Sequence, residues 1–193
     1  GRGAYVEMES WEPFVAENGK EYYHVIYKDQ YGYIRTEFVT DDRSDVVQET
    51  AQPFSAIAWT QSKTFSVDVQ PLLSLHGDEK SIRKLVSILL DNAMKYSPEG
   101  GTISLSLKKS GRQNRLVVHN TAQNMEKGNA DRLFDRFYRM DASRNSETGG
   151  FGLGLSIAKA VTEAHKGKIR AYSADGQSLT VEVCLPESQA LQK

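Results

Sequence analysis

Two hydrophobic periods alternate along the chain, and the places where the period changes mark its elements. Residues 21–27 and 33–39 are rich in aromatic and β-branched side chains and predict two strands. Lys28-Asp29-Gln30-Tyr31-Gly32 is the turn of the hairpin they would form. After a polar break at 41–44, Ser44 or Asp45 is placed to cap a helix with Val46, Val47, Phe54, Ile57 and Ala58 on its buried side. Pro53 lies inside that helix and predicts a kink or a late start. Residues 64–69 alternate as a strand, with Phe65, Val67 and Val69 on one side, and 72–76 form a second short extended run. The clearest helix covers 78–97. Ile82, Leu85, Val86, Leu89 and Ala93 make its apolar stripe, Asp78 and Glu79 suit its positive end, and Pro98 with Gly100-Gly101 stops it. Residues 102–108 and 115–119 alternate as a hairpin around 110–114. A long polar stretch, 121–148, contains one amphipathic island at 133–139. Helical spacing returns at Ile157, Ala158, Val161 and Ala164 and ends before Gly167; strands at 168–173 and 179–185 meet around Asp175-Gly176.

This order of elements predicts an appendage over 1–40, a main α/β domain over 41–188 and a tail over 189–193. Of the 193 residues, 39% are hydrophobic and 25% charged, as in a globular protein with a real core. The net charge of −1 gives no electrostatic basis for nucleic-acid binding. No apolar run approaches the length of a membrane span. One cysteine, Cys184, excludes an internal disulfide and a cysteine-based metal cluster, and its alternating surroundings make it a packing residue.

Candidate chemistry gathers around Gly149-Gly150-Phe151-Gly152-Leu153-Gly154-Leu155, which opens the helix near the C-terminus. A glycine-rich loop at a helix start offers free N–H groups and close approach to an anion. The competing reading of such a loop alone is a flexible turn. Asn92 stands at the edge of the buried stripe of the 78–97 helix, with Lys95 and Tyr96 in its last turn. Alone, Asn92 reads as an amide bonded to backbone or exposed to water. A strand ends in a polar turn at Asn120, and the stretch after it holds Phe134, Arg136, Phe137, Arg139 and Arg144.

The ordered set is more specific than its members. Leu89-Leu90-Asp91-Asn92-Ala93-Met94-Lys95-Tyr96-Ser97 resembles the N box of the catalytic, ATP-binding domain of two-component histidine kinases, in the GHKL superfamily. Leu133-Phe134-Asp135-Arg136-Phe137-Tyr138-Arg139 resembles its F box, and Gly150-Phe151-Gly152-Leu153-Gly154-Leu155 its G2 box. Gyrase, Hsp90 and MutL share the fold but lack this F box. The resemblance covers about residues 45–186. It implies a two-layer α/β (α+β) sandwich of the Bergerat type, a mixed sheet with helices on one face, preceded here by the short N-terminal β-hairpin segment. It implies ATP and Mg²⁺, with Asn92 as the metal-holding residue and, with Lys95, the catalytic pair. Lys95 would reach phosphate, Tyr96 would lie by the adenine, Arg139 and Arg144 would meet the terminal phosphates, and Gly150, Gly152, Leu153, Gly154 and Leu155 would form the loop under a lid over 121–149. Phe134 and Phe137 would anchor that lid in an apolar cleft.

Three departures qualify the resemblance. Asn120-Thr121-Ala122-Gln123-Asn124-Met125 stands where the G1 box reads Asp-x-Gly-x-Gly, so an amide replaces the adenine-binding carboxylate and both glycines are lost. Ile88 stands four before Asn92, where the family carries a polar residue. Gly176-Gln177-Ser178-Leu179-Thr180 replaces the usual Gly-x-Gly-Thr turn, with Thr180 taken as the adenine-side threonine. None of His24, His76, His119 and His165 has a phosphoacceptor context. The implied partners are therefore a histidine-bearing dimerisation domain absent from this chain and a response regulator, and the implied setting is the cytoplasmic part of a membrane-bound bacterial sensor. Ile88 and the altered G1 box motivate the alternative, a degenerate GHKL domain acting as a regulatory or protein-binding module. Residues 1–40 faintly resemble the last strands of a bacterial SH3-like module, through Tyr23-His24-Val25 and Gly32-Tyr33-Ile34.

Overall fold

The computed structural model describes residues 7–8, 14–35, 44–71, 73, 79–138 and 152–187. The chain divides into two compact units, 1–40 and 41–193.

In the first unit, β3 (Glu21–Tyr27) is central. It pairs antiparallel with β4 (Gln30–Arg35) along one edge, and with β1 (Glu7–Met8) and β2 (Phe14–Val15) at its two ends. The turn between β3 and β4 is tighter than the sequence implies. Lys28 and Asp29 both take positive φ, 51° and 60°, so two residues suffice and Gln30 already pairs with Tyr27. That is a type I′ geometry, whose twist matches the flanking strands. Residues 36–39, expected to extend the second strand, lie outside the described residues.

The second unit is a two-layer sandwich. Its sheet runs β5-β6-β7-β10-β9-β8, where β5 is Thr64–Val69, β6 Thr102–Ser110, β7 Gln113–Thr121, β8 Gly128–Asn129, β9 Lys168–Ser173 and β10 Ser178–Pro186. β5 and β6 are parallel, and every other pairing is antiparallel. Alternation assigns the faces. Ile103, Leu105, Leu107, Leu116, Val118, Leu179, Val181, Val183 and Leu185 share one core with the helices. The intervening residues make the opposite, more polar face. The helices are α1 (Ser44–Ala51), α2 (Pro53–Thr60), α3 (Glu79–Tyr96) and α4 (Gly154–Ala164). Pro53 splits the expected first helix in two, and α2 starts at the proline itself. The run expected at 72–76 is described only at Leu73, which is buried.

Helix α3 buries seven residues. Besides the expected stripe, Leu90 and Met94 are buried, because the helix packs against α1 and α4 as well as the sheet. Arg83 fixes its outer side by ion pairs of 2.7 Å to Glu79 and to Glu49 of α1. β6 and β7 are each longer than their alternation predicts. Their turn narrows to Gly111-Arg112, with Gly111 at φ 64°, and β7 runs on to Thr121. Asn120 therefore sits inside a strand rather than in a turn.

On the open face of the sheet Glu182 is 4% exposed and lies between two arginines. Arg115 Nε donates to its Oε2 at 2.6 Å, and Arg170 pairs with its Oε1 at 2.7 Å. Burial alone would raise this carboxyl, but the hydrogen bonds and charges of Arg115 and Arg170 outweigh it and hold the group below its ordinary value of 4.5. A carboxyl whose folded pKa lies below its unfolded one stabilises the fold above the unfolded value, and this is lost as pH falls through the folded value. Denaturation midpoints taken from about pH 6 to about pH 3 should therefore fall less steeply in Glu182→Gln than in the unsubstituted protein.

Candidate nucleotide site

The site builds from the end of α3. Asn92 and Lys95 are half-buried there and Tyr96 is 48% exposed, with Lys95 Nζ 5.3 Å from the centroid of the Tyr96 ring. Beside Asn92, desolvation raises the Asp91 carboxyl, with the Lys84 charge acting the other way. One turn before Asn92, on the same side of the helix, is Ile88. Its Cγ2 lies 3.7 Å from where a Cβ on Gly154 would be. The N-terminus of α4 thus meets α3 one turn from Asn92.

That N-terminus is uncapped: Leu153 at its cap position supplies no side-chain hydrogen bond. Ser156 Oγ donates to Leu153 O at 2.8 Å instead of accepting from a backbone N–H. Leu155 is buried at 7% exposure and anchors the first turn, while Leu153 is half-buried. Just before the helix, Gly152 has φ 70°, and a Cβ on it would lie 3.1 Å from Phe137 Cα and 3.2 Å from Tyr138 O. Phe137 N donates to Gly152 O at 3.2 Å. The strand of chain leaving at 137–138 therefore crosses the chain returning at Gly152. Arg139, Arg144 and Gly150 lie outside the described residues.

Phe134 is a core residue at 4% exposure, as expected of an anchor. Phe137 is not: it is 71% exposed, its backbone rather than its ring making the contact with Gly152.

Asn120 is 2% exposed on the helix-facing side of β7, opposite Ile103 and Leu179. Its Nδ2 donates to Thr121 O at 2.8 Å. Thr180 needs correction. It pairs in register with His119, one position from the Asn120–Leu179 pair, and so points to the opposite face, where its Oγ1 is 3.0 Å from His119 Nδ1. Leu179 stands beside Asn120 in its place. The parity of residues 179–185 held this information, but only the register with β7 ties it to Asn120. The loop after Asn120 is braced by the β9–β10 turn: Ala122 N donates to Gln177 O at 2.9 Å, and a Cβ on Gly176 would lie 3.1 Å from Met125 O.

A cleft of about 480 Å³ opens beside α4, lined by Arg136, Phe137, Leu153, Ile157 and His165 among others. It shares Leu153 and Ser156 with the start of α4, but none of Asn92, Lys95, Tyr96 or Asn120 lines it.

The two glycines flanking Leu153 differ in what they tolerate. Gly152→Ala places a Cβ against backbone in a left-handed conformation and should cost about 1–3 kcal/mol. Gly154→Ala meets only a side-chain methyl group at ordinary contact distance and should stay within about 1 kcal/mol of the unsubstituted protein. Urea denaturation of both variants checks the contrast.

Comparison with known proteins bears on the same stretch. The family described as Histidine kinase-, DNA gyrase B-, and HSP90-like ATPase matches residues 77–189. Sensor protein DltS of Streptococcus agalactiae serotype V is 37% identical over 143 residues, covering 74% of this chain and 36% of DltS. Sensor histidine kinase WalK of Bacillus subtilis is 38% identical over 111 residues, covering 56% of this chain and 18% of WalK. The chain thus spans about a third of the length of DltS and less of WalK. The mycobacterial sensor histidine kinase MprB superposes with a TM-score of 0.64 at 26% identity, covering 76% of this chain and 96% of that one. The catalytic domain of histidine kinase ThkA shares the fold at 19% identity, with a TM-score of 0.64 over 74% of this chain and 91% of that one. From α3 through β10, over residues 77–189, the chain belongs to the histidine kinase-, DNA gyrase B- and HSP90-like ATPase family.

Proposed function

We propose that this chain is the ATP-binding catalytic portion of a sensor histidine kinase. It binds ATP with Mg²⁺ and supplies the γ-phosphate to a histidine on a dimerisation domain outside these residues, for onward transfer to a response regulator. The observation that carries this reading is the meeting of the Asn92 turn of α3 with the uncapped start of α4, inside the stretch that the ATPase family matches.

Leu153 at the cap position gives the first N–H groups of α4 no side-chain acceptor, and these groups, at the positive end of the helix dipole, would bind phosphate oxygens. Lys95 adds a point charge for the same phosphates, and Arg139 and Arg144, outside the described residues, would add charge for the terminal one. Gly152 lets the chain cross 137–138 closely enough to return to α4. Tyr96 and Asn120 take the base. Because Asn120 Nδ2 is committed to Thr121 O, its Oδ1 is the atom left to accept a hydrogen bond from the adenine amino group.

Among the described residues no group of three His, Cys, Asp or Glu could hold a metal ion. That fits magnesium, which binds through substrate phosphates and one or two protein oxygens, and Asn92 Oδ1 would be such an oxygen. The ion would neutralise phosphate charge during transfer. His119 is engaged with Thr180, and His165 Nδ1 lies 2.7 Å from Val161 O, so neither is offered as a phosphoacceptor. Among the described residues no helix is long and apolar enough to cross a membrane. On this reading the domain works on the cytoplasmic side of a membrane-bound sensor, where ATP and a response regulator are supplied.

Calorimetric titration tests the reading. ATP should bind more tightly with Mg²⁺ than without, and Asn92→Ala should lose about 10- to 100-fold of the magnesium-dependent affinity. No binding by the unsubstituted protein would overturn the reading. Binding without transfer of labelled phosphate to a supplied histidine domain would favour a regulatory module.

A further inference from the structure

An α-helix leaves its last carbonyls without partners, and α3 has one that it cannot satisfy by extending. Met94 O would normally accept from the N–H of residue 98, which is Pro98 and has none. Ser97 N is already bonded to Ala93 O at 3.0 Å. Met94 is 4% exposed, and Ser97 one turn on is 5% exposed, although Tyr96 between them is 48% exposed.

The partner comes from another element. Lys63, in the turn between α2 and β5, donates from Nζ to Met94 O at 2.5 Å and to Gln61 Oε1 at 2.8 Å. The ammonium thus replaces the N–H that Pro98 lacks, and its charge complements the negative end of the α3 dipole. Backbone bonds hold the two turns together on either side of it: Gly100 N donates to Ser62 O and Thr64 N to Gly101 O, both at 2.9 Å. Ser62 takes a left-handed φ of 53°. A Cβ on Gly101 would lie 2.4 Å from Ser97 Oγ and 2.8 Å from Pro98 O, so the turn after α3 is tight as well. Lys63 is half-buried, with its pKa lowered by that burial.

We infer that Lys63 is a positioning residue for the nucleotide site, holding in helical form the last turn of α3 that carries Lys95 and Tyr96. The inference rests on the nucleotide reading given above. Lys63 touches no nucleotide; it acts on the backbone to which Lys95 and Tyr96 are attached. Without the ammonium the last turn frays, Lys95 loses its aim, and affinity drops although the sheet and the buried length of α3 are intact.

The test is a double-mutant cycle on Mg-ATP affinity, measured by calorimetry well below the melting temperature of each variant. Lys63→Met keeps the side-chain stem and removes the charge; Lys63→Arg restores a cationic donor. Lys63→Met should weaken binding about five- to tenfold and Lys63→Arg should recover most of it. In a Lys95→Met background, Lys63→Met should cost little more, because the two residues act through one turn. Hydrogen exchange should also quicken at Lys95, Tyr96 and Ser97 in Lys63→Met and not in the middle of α3. Unchanged affinity in Lys63→Met, or a full loss repeated in the Lys95→Met background, overturns the role of Lys63 and leaves the nucleotide reading standing. Absence of Mg-ATP binding in the unsubstituted protein overturns both.

Discussion

The burial of α3 fixes most of what the site can be. Seven of its side chains, from Ile82 to Met94, are buried against the sheet and its neighbouring helices. A helix held along so wide a stripe has no freedom to rotate. Its polar residues at the C-terminal end must then face where the stripe leaves them. Asn92 falls beside Leu89 and Ala93, at the margin of the core, and Lys95 and Tyr96 follow on the last turn. Arg83 braces the far end through Glu49 and Glu79. The pairs on that exposed side are individually weak, but they act on a helix whose phase is already set by packing.

What could be read from the sequence were the features that depend on local period. The α3 stripe, the alternation of β6 and β7 and the spacing in α4 each repeat within a few residues of one another, so each identifies itself. The turn at Lys28-Asp29 was less legible, because two non-glycine residues in left-handed conformations are uncommon and nothing in their side chains announces them. Thr180 illustrates a different limit. Whether it faces Asn120 depends on the pairing of two strands distant in sequence, and a shift of one residue exchanges every face. Leu179 and Thr180 are both compatible with β10 until the register with β7 chooses between them. Lys63 was hidden for the same reason: its partner is a backbone carbonyl in another element.

Phe137 shows how a motif can name a residue and misplace its role. The aromatic pair at 134 and 137 reads as two anchors, since both are apolar and near each other in sequence. Only Phe134 enters the core. At 137 the structure uses the backbone, which takes φ 65° and passes close to Gly152. The constraint on the returning chain is thus a contact between main chains, and it accounts for a glycine at 152 without appeal to any ligand.

The start of α4 presents the opposite case, an absence that has meaning. Ser, Thr, Asp or Asn at a helix N-cap satisfies one of the free N–H groups, and losing such a cap typically costs about 1 kcal/mol. Here Leu153 occupies that position and Ser156 turns its hydroxyl back to the Leu153 carbonyl. Packing holds the turn instead: Leu155 is buried at once, and Ile88 of α3 lies beside Gly154 at ordinary contact distance from where a Cβ would be. Ile88 therefore has a physical reason to be apolar. A polar residue there would require a partner of its own, whereas isoleucine packs against the start of α4 without one.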